Sequence, residues 1–414
     1  MTNTTSVAKK EFPLGFGEFV TMIAALMSLT ALAIDAMLPA LGMIAQDYSL
    51  TNANDRQWVV LAFVGGFGIG SLFYGPLCDR FGRKVVLLPA LAFYAFFAVL
   101  AAFAPDFSIL VALRFCAGLA AGALRIVVTS VVRDRFVGDR MARVMSLAFI
   151  VFTLVPMLAP TLGAGILLVA SWPWIFFALA LLGVMLLAWT WIRLPETLAP
   201  ENVIPIRRDT IWTTWKTIIF HRKASGYMLA GGLSMGPLFG FVASAQQIFD
   251  TAYGVGDYFP LIFAIITANL ALSAFLNARF VMRFGARRIA HSAILTVIVL
   301  SAMGLAIGAS TGGMSLVPFV IITALSLGMT GFINSNCSSI AMEPFGGMAG
   351  AASSFQAFST TIVSALLGAL IGQLFDGTNV PLTTGFLLCS MASLTVLFWA
   401  EKGRLFQRKI PEAV

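Results

Sequence analysis

Twelve apolar runs, each close to the roughly 20 residues a helix needs to cross a bilayer, leave this chain few possible folds. They lie near 17–44, 57–78, 85–104, 107–132, 142–168 and 172–192, then near 225–252, 258–281, 289–310, 315–338, 349–373 and 380–400. A backbone in lipid must satisfy its own polar groups, so each run is predicted to be a helix. The one long polar stretch, 193–224, holds three prolines and a cluster of charges from Glu196 to Lys223. The expected fold is an all-α integral membrane protein of twelve transmembrane helices. It should form two pseudo-symmetric six-helix bundles, 1–194 and 225–414, joined by a linker at 195–224.

Charge decides which function classes remain. Only 11% of residues are charged, against about 25% in soluble domains. A net charge of +8 would suggest nucleic acid in a soluble chain, but here the basic residues sit between apolar runs and are explained by topology. Of 26 Lys and Arg, 23 fall in the N-terminus (Lys9 and Lys10 among them), alternate loops, the linker and the C-terminus, and only Arg56 falls on the opposite side. Arg114 and Arg125 lie within a helix. That asymmetry predicts both termini in the cytoplasm, with a retained first helix rather than a signal peptide. No nucleic-acid partner is expected, and the lipid bilayer is the chain's surroundings.

Catalytic chemistry has little support. Four scattered cysteines read as small packing residues, and His221 and His291 have no ligand partner at metal spacing. Gly232 to Gly236 matches G-x-S-x-G, but inside an apolar helix with no strand before it. Neither an enzyme nor a cofactor is predicted, and a monomer is expected.

The densest charge lies at Gly75 to Lys84, GPLCDRFGRK, read as a membrane-surface turn between helices 2 and 3. Gly75 and Gly82 would let the backbone turn, Asp79 would accept from the N-terminus of the next helix, and Arg80 and Arg83 would reach carboxylates or lipid phosphates. The second half repeats it at Arg279 to Arg288, RFVMRFGARR, with Met282 in place of Asp79. Glycines four apart, Gly66/Gly70, Gly118/Gly122, Gly304/Gly308 and Gly368/Gly372, are read as close helix packing. In helix 5, Pro156, Pro160 and Gly163 suggest a bent helix.

Asp35 is the acid expected inside the spans, and such a residue is functional by default. Asp35 and Arg114 lie at equal depth, roughly 10 to 12 Å from the outer surface at 1.5 Å per residue, and so can meet. Burial favours the neutral acid and a nearby arginine the anion, opposing pulls that suit a group loading and releasing a proton. A permanent salt bridge that only orients helices is the plainer alternative. Arg125 follows Arg114 by eleven residues, on nearly the same helix face. It either supplies donors to a ligand or snorkels towards Asp134 or Glu343.

The pattern G-x-L-x-D-R-x-G-R-K resembles the helix 2–3 loop of the major facilitator superfamily. Helix 5, P-x-x-A-P-x-x-G, resembles that of its antiporters. Asp35-Ala36-Met37-Leu38-Pro39-Ala40-Leu41, Leu194-Pro195-Glu196-Thr197 and Glu343-Pro344-Phe345-Gly346 resemble the Bcr/CflA-type multidrug/proton antiporters of bacterial inner membranes. The resemblance implies export of a small amphipathic drug by alternating access, with H+ as coupling ion, Asp35 as proton carrier and Arg114 as the helix-4 arginine. Some relatives carry a second helix-1 acid where Met27 stands, and many an arginine where Thr129 stands, so neutral or weakly anionic, phenicol-like substrates are favoured. Candidate lining residues are Met27, Ala31, Asp35, Arg114, Arg125, Gln246, Gln247, Asn269, Asn334, Asn336 and Gln356, with helix bridging the plainer alternative for the amides. A metabolite transporter on the same fold is the alternative.

Overall fold

Hydropathy alone sets most of the architecture. The computed structural model describes residues 13–136, 139–206 and 208–407, with the side chains of 139, 142, 208–211 and 346–349 left aside, so Lys9, Lys10 and Arg207 lie outside it. Among the described residues there are twelve helices long and apolar enough to span a membrane and no strand. The first six are α1 (Phe16–Asp35), α2 (Trp58–Phe81), α3 (Arg83–Ala102), α4 (Phe107–Arg135), α5 (Asp139–Leu167) and α6 (Pro173–Arg193). The second six are α7 (Arg222–Gln247), α8 (Phe259–Phe284), α9 (Ala286–Thr311), α10 (Leu316–Met342), α11 (Ala349–Gln373) and α12 (Val380–Ala400). The protein is a multi-pass membrane protein.

Several helices outrun their apolar stretches, because a helix continues past the lipid while its residues still favour it. The expected turn at 75–84 is accordingly corrected: α2 stays helical to Phe81, and Gly82 alone separates it from α3. At φ +106° Gly82 occupies a region closed to other residues. Gly75 is not a turn residue. It lies inside α2, where an added Cβ would stand 2.2 Å from Ser354 Oγ on α11. At the other end of the first bundle, α1 stops at Asp35, because Pro39 follows and cannot donate. The chain then passes through a 3₁₀ turn, Leu38–Ala40, into the short helix Leu41–Asp47.

The pairs Gly66/Gly70 and Gly118/Gly122 do what their spacing predicts, whereas Gly304 meets only side chains, Gly308 makes ordinary contacts at 3.7 Å, and Gly372 meets the Gln57 side chain. A Cβ on Gly66 would lie 2.1 Å from the Phe115 carbonyl oxygen, and one on Gly118 would lie 2.1 Å from that of Phe63. Backbones of α2 and α4 therefore touch, with no room for a side chain. The two sets of six meet along α2 with α11 and along α5 with α8. The helix Arg208–Phe220 between them packs on α7 and α11, with the Trp215 and Phe355 ring centroids 6.4 Å apart. Helix α5 runs helically through both Pro156 and Pro160.

Candidate functional site

Three distant motifs converge on the break in α1. Asp35 is its last residue and is 5% exposed, while Arg114 of α4 is 2% exposed. The expected Asp35–Arg114 contact does not form. Arg114 Nε donates to the Val59 carbonyl at 2.9 Å and a terminal nitrogen donates to the Ala33 carbonyl at 2.7 Å. Its guanidinium also lies 4.5 Å from the Phe63 ring centroid and 5.7 Å from that of Phe176. The reason is local: where α1 stops, its last carbonyls lose their intrahelical donors, and a buried orphan carbonyl must find another. Arg114 serves as that cap. The Asp35 carboxyl has no hydrogen bond or ion pair among the described residues. From α5, Gly163 closes the site, since its Cβ would stand 2.0 Å from the Ala36 carbonyl oxygen. The helix-5 glycine is thus the point where α5 presses its backbone onto the break.

Further along α4, Arg125 and Thr129 are the exposed residues between Arg114 and Val132. They are one turn apart, and the Thr129 hydroxyl donates to the Arg125 carbonyl at 2.9 Å. Another turn on, Arg133 comes within 3.8 Å of where a Gly350 Cβ would stand on α11, so this stripe is turned towards the second six helices. The acids to which Arg125 could snorkel are occupied. Asp134 accepts from Arg83 at 2.8 Å, and Glu343 accepts from Lys223 at 2.9 Å and from Arg287 at 2.8 Å. Arg125 itself has no side-chain partner among the described residues.

The remaining candidate lining residues do not gather at one point. Met27 and Ala31 are buried. Asn336 is a helix bridge, donating to Asn277 Oδ1 at 2.7 Å and to the Phe332 carbonyl at 2.8 Å. Asn269 is half-buried beside Gly328, and Gln356 is half-buried without a hydrogen bond. Gln246 lines a cavity of about 460 Å³ at the end opposite Gly82, with Pro39, Asp250 and Asp257.

Around Gly82 the assigned partners change. The α3 N-terminus is capped not by Asp79 but by Glu196, whose carboxylate accepts from the Arg83 and Lys84 backbone N–H groups at 2.8 and 3.0 Å. Glu196 arrives from the far end of α6 and fills the space a Gly82 Cβ would need, 2.5 Å away. Asp79 instead accepts from the Arg83 side chain at 3.0 Å, while its second oxygen lies 3.4 Å from the Gly350 Cβ position on α11. Arg80 is exposed. In the second half the buried guanidinium shifts one place in the repeat, to Arg287, which holds Glu343 and Glu401 at 2.8 and 3.1 Å. Both halves thus lock the start of their third helix to acids from the ends of their fourth and sixth. Asp79 is the acid without a counterpart, and it faces the other half.

An amide cluster of Asn54, Gln57, Gln247 and Gln373 joins the two sets of six helices at the end opposite Gly82, where Gln247 bridges helices. Gln57 donates to Gln247 Oε1 at 2.6 Å and to the Gly372 carbonyl at 2.9 Å. Gln247 donates to Asn54 Oδ1 at 2.9 Å, and Gln373 donates to the Asn54 carbonyl at 2.9 Å. No periodicity or spacing reveals it, because the partners are up to 319 residues apart.

Comparison with known proteins gives these features a context. The family profile described as Major Facilitator Superfamily matches residues 21–369. A bicyclomycin resistance protein homolog of Haemophilus influenzae is 30% identical over 391 residues, covering 94% of this chain and 98% of its own. Multidrug resistance protein MdtL of Escherichia coli is 27% identical over 395 residues, covering 93% and 96%. Among solved structures, a D-xylose-proton symporter superposes with a TM-score of 0.70 at 14% identity, covering 94% of this chain and all of its own. The human organic anion transporter MFSD10 does so at 0.69 and 18%, with the same coverage. At such identities these two carry the fold alone.

Proposed function

Because the chain belongs to the Major Facilitator Superfamily, a family of transporters rather than enzymes, we propose that it exports small amphipathic drugs in exchange for protons. The substrates are neutral or weakly anionic, and the protein resembles the Bcr/CflA-type antiporters. The observation that carries this reading is the unpaired carboxyl of Asp35, buried where α1 breaks and where α4 and α5 press on the break. A carboxyl with no fixed partner can change protonation without first breaking a salt bridge. Because it ends α1, its charge state bears directly on the contacts made by Ala33 and Ala36 with Arg114 and Gly163. Relatives named for drug resistance support a drug as the cargo.

In this reading the halves 1–194 and 225–414 rock about the α2/α11 and α5/α8 contacts, with 195–224 as linker. Arg125 and Thr129 face the cargo, and Arg125 provides donors without a second acid, which disfavours cationic drugs. Proton occupancy of Asp35 and binding of drug alternate. Both termini and the arginine-rich loops are cytoplasmic, in the bacterial inner membrane.

The test is Asp35→Asn in proteoliposomes containing a pH-sensitive dye. The amide preserves size and packing but carries no titratable proton, so drug-driven proton release should vanish while the protein remains folded. Undiminished release from the variant would overturn the assignment.

A further inference from the structure

At the arginine-rich end of the second half, a slot of about 600 Å³ opens between α8 and α9, over α10. Its walls include Phe280, Phe284 and Phe332, and Phe406, from the tail after α12, closes its end. It belongs to neither contact between the halves. It faces the membrane: Leu295, Val299 and Met303 continue the same face of α9 and are exposed, as is Phe275 on α8. One polar line enters this apolar slot. Arg288, Ser292 and Thr296 are spaced four apart on α9, so they descend about 6 Å per step at 1.5 Å per residue.

We propose that this slot binds an anionic phospholipid of the adjoining leaflet, with its phosphate at Arg288, its ester region beside Ser292 and an acyl chain along the phenylalanines. The charges fit this ligand. Arg283, Arg288, Lys402 and Arg404 are exposed and form no ion pair among the described residues. The acids of this end, Glu343 and Glu401, are both held by Arg287. A negative headgroup therefore meets free cations and neutralised anions. The geometry leaves a binding edge free as well: Arg288 Nε donates to the Phe406 carbonyl at 3.0 Å, which fixes the guanidinium at the mouth while its other donors remain available. The same contact ties the tail to the slot, since the Phe406 N–H donates to His291 Nδ1 at 3.0 Å.

The test is native mass spectrometry of the delipidated, full-length protein titrated with phosphatidylglycerol and, separately, phosphatidylethanolamine. Phosphatidylglycerol should bind more tightly. Arg288→Gln should lower its affinity about fivefold, the worth of one basic residue at a membrane surface, and Arg288→Lys should retain most of it. Thr296→Trp fills the slot without changing charge and should also weaken binding, whereas Arg140→Ala, an exposed arginine of the first half, should not. Thermal unfolding before lipid is added establishes which variants are folded. Equal affinity for the two lipids, or unchanged phosphatidylglycerol binding in folded Arg288→Gln and Thr296→Trp, would overturn the proposal. Saturable binding of rhodamine 6G that Thr296→Trp abolishes, with no lipid preference, would make the slot a drug site instead.

Discussion

Arg114 and Arg125 share a helix and nearly a face, yet their surroundings oppose them. Arg114 has two backbone carbonyls and two aromatic rings to satisfy it; Arg125 has none of these and is exposed. Arg114→Ala should therefore destabilise the protein by about 2 to 3 kcal/mol, the worth of a hydrogen bond from a charged group with its acceptor left unpaired. Thermal unfolding in detergent reads this directly. Arg114→Lys should recover only part, because an ammonium lacks the planar fork that reaches both carbonyls. Arg125→Ala breaks no bond, so its unfolding temperature should match the parent. Export of neutral or anionic drugs should nevertheless fall selectively, with proton release at Asp35 retained. Equal loss across all drugs, or none, would place Arg125 in a structural or surface role.

At the scale of elements, the junction of α2 and α3 separates two acids that the sequence places in one neighbourhood of charge. Glu196 belongs to the helix end: it caps two backbone N–H groups of α3. Asp79 belongs to the contact with α11. The two variants should leave opposite signatures. Glu196→Gln should cost about 1 kcal/mol, as loss of a charged cap does, and leave conformational equilibria alone. Asp79→Ala should keep the cap while losing the bond to the Arg83 side chain, and should raise labelling of cysteines placed along the Arg125–Thr129 stripe of α4. Labelling of those cysteines that is the same in the parent and Asp79→Ala would reduce Asp79 to a local partner of Arg83.

For the whole molecule, neutral amides join the two sets of six helices at the end opposite Gly82, which is the outer face in the proposed topology. Gln57 donates two bonds across the halves and accepts a longer third from Gln373 at 3.4 Å; at about 1 kcal/mol net for each of the two short ones, Gln57→Ala should shift the population towards an outer-open state roughly tenfold or more. Gly42→Cys is a fitting reporter, since its Cβ would lie 3.4 Å from both Arg56 and Gln246 behind that cluster. An impermeant maleimide should label it faster in the Gln57→Ala background. Because no amide titrates, the labelling ratio should not change between neutral and mildly acidic pH. Equal labelling in both backgrounds would mean that the latch does not hold the face closed.

The sequence by itself determined the number of spans, their positions to within a few residues, the all-α architecture and the close-packed glycines of α2 and α4. These follow from local rules: lipid demands a long apolar helix at each crossing, and a backbone contact demands glycine at the point of touch. It also located Asp35, since an acid in an apolar run needs no neighbour to stand out. Only the tertiary structure decided who partners whom. Arg114 turns to carbonyls 55 and 81 residues away, α3 is capped from 113 residues on, and Gln57 meets Gln247 across 190. The Ala33 carbonyl and the α3 N–H groups are left over by helix ends and Gln57 brings a side-chain amide, and each is satisfied by whichever segment packing brings near. That choice depends on how the twelve helices lie together, which no single stretch of the chain encodes.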